Sequence, residues 1–297
     1  MNGDAGTDGD VGTDGGAGTS GGAGTNGGAG TNGARPGPAP TVVKLGGSCL
    51  ETLAEAWWDD LARHAREHPV VLVHGWSRPL KALRPRYRDG SAILRDRYGN
   101  QSRWTTPEVL ADIRTVSARL GEEILRRLER RGLAAERILG SDGLVTAGEG
   151  ERWWWKDREL VELDNLVGPI TGVDPSLLKN LAPGRSCLVT PLARDGAGRE
   201  VNTDGDRAAA AVAGALGAGG LVLVTDVAHL LVDGEPVPRI TARAAAEFRD
   251  RKATGGMRKK LRAAGEALDA GVGRVVIGSA PVTELLAGST GTAITRN

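Results

Sequence analysis

Mostly apolar strands that alternate with helical segments constrain the fold of this chain more than any other feature. The runs 41–45 (TVVKL), 69–75 (PVVLVHG) and 185–193 (RSCLVTPLA) lack the regular polar alternation of a half-exposed strand, which predicts burial on both faces. Helical spacing lies between them, as in 106–132, where a proline falls in the first turn. This order predicts an α/β fold, a three-layer αβα sandwich with a mainly parallel central sheet.

The first 40 residues differ from the rest of the chain. They repeat Gly-x-Gly-Thr units and contain no aromatic residue, so they cannot bury enough surface to offset chain entropy and are predicted to be disordered. They also lack the basic start and apolar run of a secretory signal. A tether or solubility tail and a neutral extension both fit this composition. Residues 41–297 are long enough for one large α/β domain or two intimately joined lobes.

Charge and cysteine content exclude several classes of protein. The whole chain carries a net charge of +1; without the tail, which holds four Asp and one Arg, 37 basic residues face 33 acidic ones, which gives +4. This excess is too mild to indicate nucleic acid by itself. Cys49 and Cys187 have neither metal-ligand spacing nor a disulfide-rich context. No apolar run reaches the ~18 residues of a membrane helix, and we expect a cytoplasmic protein.

A lysine inside the first strand indicates a phosphate site. Lys44 lies in a mostly apolar run and is followed at once by Gly46 and Gly47. A buried ammonium is costly unless an anion meets it, and glycine N–H groups before a helix offer an anion site. The run is not a Walker A loop, because the pattern Gly-x-x-x-x-Gly-Lys-Ser/Thr is absent. A common strand–turn–helix connection is the alternative interpretation.

Two later clusters have both structural and functional interpretations. In the run VNTDGDRAAAA, acidic residues before a helix are typical of an N-cap; alternatively, Asn202 binds a substrate and Asp206 orients catalytic lysines. Lys259 and Lys260 begin another helix, where the helix dipole disfavours cations. They form either a solvated basic turn or a group that points at an anion.

Taken together, these pieces resemble the amino acid kinase family, which includes acetylglutamate kinase. The matching pieces are VVKLGGS, VVLVHG, Arg103-Trp104-Thr105, VNTDGDRAAAA, LVLVTDV and GGMRKKL. The resemblance extends over essentially all of 41–297. It is strongest to kinases that act on an acidic amino acid linked to an amino-group carrier protein, glutamate or α-aminoadipate, in lysine- or arginine-type biosynthesis.

The resemblance implies transfer of the γ-phosphoryl group of ATP, with Mg²⁺, to a side-chain carboxylate, which forms an acyl phosphate. It implies the amino acid kinase fold, with 41–200 mainly a substrate lobe and 201–297 mainly a nucleotide lobe. The implied catalytic residues are Lys44, Asp206 and Lys260. The implied substrate-binding residues are Gly75, Trp76, Arg103 and Asn202. The implied nucleotide-binding residues are Lys44, Gly46, Gly47, Thr225 and Asp226. No metal-binding side chain is implied, and a homodimer is expected.

The sequence departs from the family pattern on the substrate side. The family usually has His-Gly-Gly where this chain has His74, Gly75 and Trp76. If the backbone at 76 had a positive φ, tryptophan would be strained there, and its indole would reshape the pocket. Two alternatives follow: a kinase of free N-acetylglutamate, or a catalytically weak regulator that binds nucleotide or amino acid. Thr106 also stands where an Asp is common.

A basic segment and a tryptophan run indicate a partner. Residues 78–103, predicted to be irregular, carry eight Lys or Arg residues against two Asp, and 153–155 are three tryptophans in a predicted hairpin. Because side chains alternate along a strand, at least one indole should be exposed or at an interface. An acidic carrier protein fits such a surface; a solvated face is the alternative.

Overall fold

The computed structural model describes most of the chain beyond the glycine-rich tail. The described residues are 37–47, 50, 52–97, 101–156 and 158–297. Residues Gly37–Asn297 form one compact unit. The disorder predicted for the tail concerns residues that, up to position 36, lie outside the described ones, as does Cys49. None of the helices in the described part of the chain combines the length and the apolar character needed to cross a bilayer.

Strands and helices alternate through the chain. The strands are β1 (Thr41–Leu45), β2 (Val70–His74), β3 (Ile93–Asp96), β4 (Gln101–Arg103), β5 (Ala134–Leu139), β6 (Val145–Ala147), β7 (Trp153–Lys156), β8 (Glu159–Glu162), β9 (Ile170–Val173), β10 (Arg185–Thr190), β11 (Leu192–Asp195), β12 (Glu200–Asn202), β13 (Gly220–Val224), β14 (Leu230–Val232), β15 (Glu235–Val237), β16 (Arg239–Thr241), β17 (Val275–Gly278) and β18 (Thr292–Thr295). The α-helices are α1 (Glu55–Glu67), α2 (Ser77–Leu83), α3 (Pro107–Glu129), α4 (Gly205–Ala215), α5 (Ala242–Arg251), α6 (Gly255–Asp269) and α7 (Val282–Ala287).

The central sheet has eight strands in the order β16-β18-β17-β13-β1-β2-β10-β5. From β17 to β5 every neighbouring pair is parallel, and only the contact of β17 with β18 is antiparallel. The predicted mainly parallel sheet is therefore confirmed.

Two cores cover the two faces of this sheet. Along β1, Val43 belongs to a core that contains side chains of α1 and α7, whereas Val42 belongs to a core with α4 and α6. Alternating side chains along a strand point to opposite faces, so each face has its own helical layer. This is the predicted three-layer αβα arrangement.

The prediction of an irregular segment over 78–103 is wrong. Helix α2 begins this stretch, and β3 and β4 follow as part of an antiparallel sheet in the order β4-β3-β7-β8. Single apolar residues hold these elements to the body, since Leu80 and Leu94 are almost fully buried. Because these few apolar residues stand among many arginines, the sequence of the segment shows no clear helical or strand periodicity. The predicted hairpin around the three tryptophans is present as β7 and β8.

Candidate active site

The carboxyl ends of three neighbouring strands bring the predicted glycine turns to one edge of the sheet. Leu45 is in register with His74 of β2 on one side and with Val224 of β13 on the other. Gly46, Gly75 and Thr225, each the next residue after these positions, consequently share that edge. Ligands of open parallel sheets bind beyond this edge.

Lys44 points into the helical layer formed by α4 and α6. Because side chains alternate along β1, Lys44 shares a face with Val42, which packs in the core that contains α4 and α6. Its Nζ lies 2.8 Å from Oδ1 of Asp206. Lys260 Nζ lies 3.3 Å from Oδ2 of the same carboxylate. All three residues are less than 10% exposed.

Asp206 is an ionised carboxylate between two ammonium groups. Burial alone would raise its pKa, but the charges of Lys44 and Lys260 outweigh burial and hold the pKa at about 2. The carboxylate is therefore ionised at any pH near neutrality. Lys44, Asp206 and Lys260, which we call the lysine centre, carry two positive charges and one negative charge. Their net charge of +1 suits an incoming phosphate.

The starts of α4 and α6 lie close together and form two ion pairs, Asp204 with Lys259 and Asp206 with Lys260. The Asp204 carboxylate caps α4 by accepting from the backbone N–H groups of Asp206 and Arg207, so the predicted N-cap is present. Its other oxygen lies 3.2 Å from Nζ of Lys259. Lys260, one residue further along α6, reaches Asp206. The N-cap and the lysine-orienting carboxylate are thus two different aspartates.

The two glycine turns touch each other beside the lysine. A Cβ atom on Gly75 would lie 3.1 Å from the backbone N of Gly47 and 3.7 Å from Nζ of Lys44. A Cβ atom on Gly47 would lie 3.1 Å from the carbonyl oxygen of Gly75. Both contacts involve rigid backbone, so a larger residue at either position would push the turns apart. The glycines keep backbone N–H groups close to Lys44.

His74 is buried and neutral. Its Nε2 is 3.0 Å from the hydroxyl of Thr190, and burial lowers its pKa to about 4. Trp76, two residues on, has φ of −122°, a conformation that any residue adopts. The strain considered for a tryptophan here therefore does not arise, and its half-buried indole packs against the core that includes side chains of α4 and α6.

The two predicted nucleotide residues at the end of β13 lie at the same edge. Thr225 is buried and its N–H donates to the carbonyl of Gly278 at 3.0 Å. Its hydroxyl donates to Oδ1 of Asp226 at 3.2 Å, and Asp226 itself is exposed. Thr225 anchors the turn that follows β13, and Asp226 faces solvent at the same edge of the sheet.

Arg103 is a buried guanidinium that lacks an acidic partner in the described part of the chain. Only 7% of the residue is exposed, and burial lowers its pKa. Its Nη2 donates to the carbonyl of Tyr87 at 3.3 Å, and its guanidinium lies 5.5 Å from the centre of the Tyr87 ring. Among the described residues, no carboxylate lies within ion-pair distance, and Nη1 has no hydrogen-bond partner. A buried cation in this state fits an anionic ligand.

Asn202 and Asn165 also carry unsatisfied buried atoms. Asn202 Oδ1 and Asn165 Nδ2 have no partner in the described part of the structure. Backbone bonds place the segments side by side: Asn202 N–H donates to the carbonyl of Leu166, and Leu166 N–H donates to that of Thr105. Arg103, Asn165 and Asn202 therefore belong to one neighbourhood, which we call the acceptor pocket.

No feature of the sequence identified Asn165 as a site residue, nor Tyr87 and Asp112, which support Arg103. Tyr87 donates from its hydroxyl to Asp112 at 2.5 Å, and Arg84 Nε pairs with Asp112 at 2.8 Å. These contacts fix Tyr87 beneath Arg103. An Asn within 163–167 and an Asp within a long helix carry no distinctive motif, so no sequence signal marked them.

Comparisons with known proteins agree with this geometry. The model of the amino acid kinase family matches residues 39–279. A protein of Nitrosopumilus maritimus named as a LysW-aminoadipate/LysW-glutamate kinase is 31% identical over 242 residues, which cover 79% of this chain and 90% of that protein. An acetylglutamate kinase of Geobacillus stearothermophilus is 33% identical over 248 residues, covering 82% and 90%.

Solved structures share the fold. A crystal structure of a Streptococcus mutans protein has a TM-score of 0.70 at 24% identity, covering 87% of this chain and 99% of that one. A carbamate kinase of Giardia lamblia bound to AMP-PNP has a TM-score of 0.63 at 15% identity, covering 88% and 99%. The chain belongs to the amino acid kinase family. It is an ATP-dependent phosphotransferase that uses a carboxyl group as acceptor.

Proposed function

We propose that this protein phosphorylates the side-chain carboxylate of an acidic amino acid, glutamate or α-aminoadipate, that a carrier protein holds through its amino group. The observation that carries the proposal is the pairing of two buried lysines with one carboxylate at the strand edge. The names of several relatives, which refer to LysW-aminoadipate and LysW-glutamate, support the carrier.

The chemistry needs positioning and charge more than acid–base groups. A carboxylate oxygen of the acceptor forms a bond to the γ-phosphorus, the bond from that phosphorus to the β–γ bridging oxygen breaks, and ADP leaves. No proton has to be removed, which agrees with a neutral, buried His74. Lys44 and Lys260 would neutralise charge that spreads over the transferring group. Asp206 would hold both lysines in place, and the N–H group of Gly47 would face the phosphate, since that of Gly75 donates to the carbonyl of Leu45.

Mg²⁺ would enter with ATP and would neutralise part of the charge on its phosphates. Over the described ranges, no group of three or more acidic, His or Cys side chains could hold a metal ion. The buried carboxylate of Asp206 is occupied by two lysines. This donor set fits a metal carried by the nucleotide rather than one held by side chains.

On the acceptor side, the buried Arg103 would bind a carboxylate of the amino acid. Its planar fork suits a bidentate contact, and the unpartnered Nη1 is available for one. Asn202 Oδ1 would accept from the substrate's amide N–H. Asn202 stands four residues before Asp206, so a single segment of chain connects the acceptor pocket to the lysine centre.

The outer face of β3 and the β7–β8 hairpin would receive the carrier, and we call it the docking face. Trp153 and Trp155 are 43% and 48% exposed, whereas Trp154 is buried, so the expected division of the three indoles is confirmed. Leu160 is 40% exposed and sits opposite Trp155, which has Arg95 on its other side. Exposed aromatic and apolar groups beside an arginine fit an acidic protein partner.

Trapping of the acyl phosphate tests the proposal. The protein is given ATP, Mg²⁺ and hydroxylamine, with free glutamate, α-aminoadipate, their N-acetyl forms, or the same acids attached to an acidic carrier. We expect hydroxamate with the carrier-bound acids. Product with N-acetylglutamate alone would place the protein with the acetylglutamate kinases. ATP binding without any product would favour a regulator, although the unstrained backbone at Trp76 removes one reason for that alternative.

Substitution of the docking face separates carrier recognition from chemistry. We expect Trp153→Ala with Trp155→Ala to raise KM for the carrier-bound acceptor about 10-fold or more, since aromatic interface residues commonly contribute 2 kcal/mol or more, and to leave KM for ATP unchanged. Leu231→Ala, at a 54% exposed leucine on β14, is the matched control. Equal KM values in both variants would contradict the assignment of this face.

The homodimer and the division into lobes at 41–200 and 201–297 remain predictions. Sedimentation velocity at several protein concentrations tests the dimer.

A further inference from the structure

The side-chain amide of Asn165 is held in one orientation. Its Oδ1 accepts a hydrogen bond from the backbone N–H of Thr105 at 2.7 Å. Because that neighbour is a donor, the oxygen must face it and Nδ2 must point the other way. Asn165 is 8% exposed, and Nδ2 has no partner among the described residues. An unpaired buried donor costs about 1–3 kcal/mol, a cost that a ligand acceptor would remove.

The same residue lines a cavity that reaches the hairpin of the docking face. The cavity has a volume of about 360 Å³, and Arg152 and Glu162 form part of its wall. These two residues pair at 2.5 Å across β7 and β8, beside Trp153. Asn165, a member of the acceptor pocket, thus also lines a cavity next to the docking face.

The net negative charge of the cavity lining favours a neutral ligand over an anionic one. Glu149, Glu151, Glu162 and Asp164 line it, against two arginines. A carboxylate or phosphate would be repelled there, so the reacting end of the substrate does not belong in this cavity. A neutral peptide-like arm fits, since its N–H groups can donate to these carboxylates and its carbonyl groups can accept from Nδ2 of Asn165.

The buried atoms of the acceptor pocket that lack a partner in the described structure match the polar groups of an acylated amino acid. Arg103 Nη1 and Asn165 Nδ2 are donors, and Asn202 Oδ1 is an acceptor. An amino acid acylated on its nitrogen presents a carboxylate, an amide carbonyl and an amide N–H, which need two donors and one acceptor. A free amino acid presents an ammonium group instead, which cannot accept from Asn165.

We propose that Asn165 binds the amide carbonyl that joins the amino acid to its acyl arm, and that the adjoining cavity receives this arm. The assignment rests on the proposed function, which it deepens by naming the residue that distinguishes an acylated from a free amino acid. It makes Asn165 a specificity-determining residue rather than a catalytic one.

Asn165→Asp is the informative variant. The aspartate keeps an oxygen to accept from Thr105 N–H, replaces the Nδ2 donor by a second oxygen and adds a negative charge, so the decisive readout is the preference for one probe over the other rather than weaker binding alone. Asn297→Asp, at an exposed asparagine, is the matched control. The probes are glutamate acylated on its amino group by a short neutral peptide through an ordinary amide, and the same molecule with a thioamide. The thioamide keeps the charge and the N–H group, but its sulfur is a weak acceptor.

Both binding and phosphorylation are measured, by calorimetry without ATP and by hydroxamate formation with it. The wild type should prefer the amide over the thioamide about 10-fold or more in both measurements. Asn165→Asp should bind the amide about 10- to 100-fold more weakly, lose that preference, and keep the wild-type KM for ATP. A variant that retains the wild-type preference would overturn the assignment of Asn165 and leave the proposed function standing. Preference for the amide in binding, without phosphorylation, would support Asn165 and sink the proposed function.

Discussion

The lysine centre and the acceptor pocket are both buried, but they differ in how their polar groups are satisfied. Lys44 and Lys260 each lie within 3.3 Å of the Asp206 carboxylate, which offsets one of their two positive charges. Arg103 and Asn202 instead keep buried atoms without a partner in the described structure. The protein builds its phosphoryl-transfer centre from its own charges, whereas the pocket is completed only by a ligand. The first should contribute to stability, and the second should lower it.

The largest expected effect is on turnover at the lysine centre. Lys44→Met or Lys260→Met should lower kcat by about 10²- to 10³-fold or more, because each removes a cation aimed at the transferring group. Steady-state kinetics with hydroxylamine trapping measures this. Lys179→Met, at an exposed lysine, serves as control. Wild-type kcat in both site variants would remove the lysines from catalysis.

Removal of the carboxylate should affect folding as well as activity. Asp206→Asn leaves two buried ammonium groups without their counter-charge, and breaking a buried ion pair from one side costs about 3–5 kcal/mol. Urea denaturation should show a loss of this size, together with a turnover as low as in the lysine variants. Unchanged stability would mean that the centre is not held by mutual charge neutralisation.

Substitution of Arg103 should affect acceptor binding more than stability. Arg103→Leu removes a buried guanidinium that has no acidic partner among the described residues, so the free energy of unfolding should stay within about 1 kcal/mol of the wild type or rise. KM for the acceptor should increase about 10- to 150-fold, the range for a hydrogen bond to a charged group, with KM for ATP unchanged. A stability loss as large as that of Asp206→Asn would abolish the contrast between the two regions.

The same contrast explains which residues the sequence could predict. Lys44, Gly46 and Gly47 follow directly from a lysine and two glycines at a strand end, and Asp206 and Lys260 from charges at helix starts. These features are local, and the parallel register of β1, β2 and β13 then brings the strand-end residues to one edge.

The orientation of the Asn165 amide is set by a hydrogen bond from the backbone of Thr105, 60 residues away. Tyr87 matters because it lies beneath Arg103 and against Asp112. Neither relation leaves a periodicity or a motif. Helix α2 and strand β3 were missed for a related reason: a few buried apolar side chains hold them among many arginines. Long-range pairing of ordinary residues is what the sequence alone did not reveal.

A smaller effect is expected where the glycine turns meet. Gly75→Ala places a Cβ 3.1 Å from Gly47 N and 3.7 Å from Lys44 Nζ, which should shift the turns by a few tenths of an ångström. Misplacement on this scale should lower kcat about 10-fold. Gly90→Ala, where an added Cβ would meet nothing within 4 Å, is the control. A Gly75→Ala variant with full activity would show that the turns tolerate a wider spacing.

The pH dependence of stability separates the lysine centre from its buried histidine neighbour. Burial lowers the pKa of His74 and of His64 to about 4, against about 6.5 when unfolded. Below pH 6.5 the unfolded chain therefore binds more protons at these residues, and stability should fall by up to about 1.4 kcal/mol per pH unit for each histidine until about pH 4.

Asp206 has its pKa lowered to about 2, so its contribution is fully present above about pH 4 and is lost only as pH falls from there toward 2. Urea denaturation of the wild type and His74→Gln between pH 8 and pH 4.5 tests this order. The variant should lose less stability than the wild type over pH 6.5 to 4.5, and the two curves should run parallel above pH 7. Parallel curves over the whole range would mean that His74 has the same pKa in the folded protein as in the unfolded chain, so that below about pH 6.5 a third cation would lie beside Lys44 and the lysine centre would have to be reconsidered.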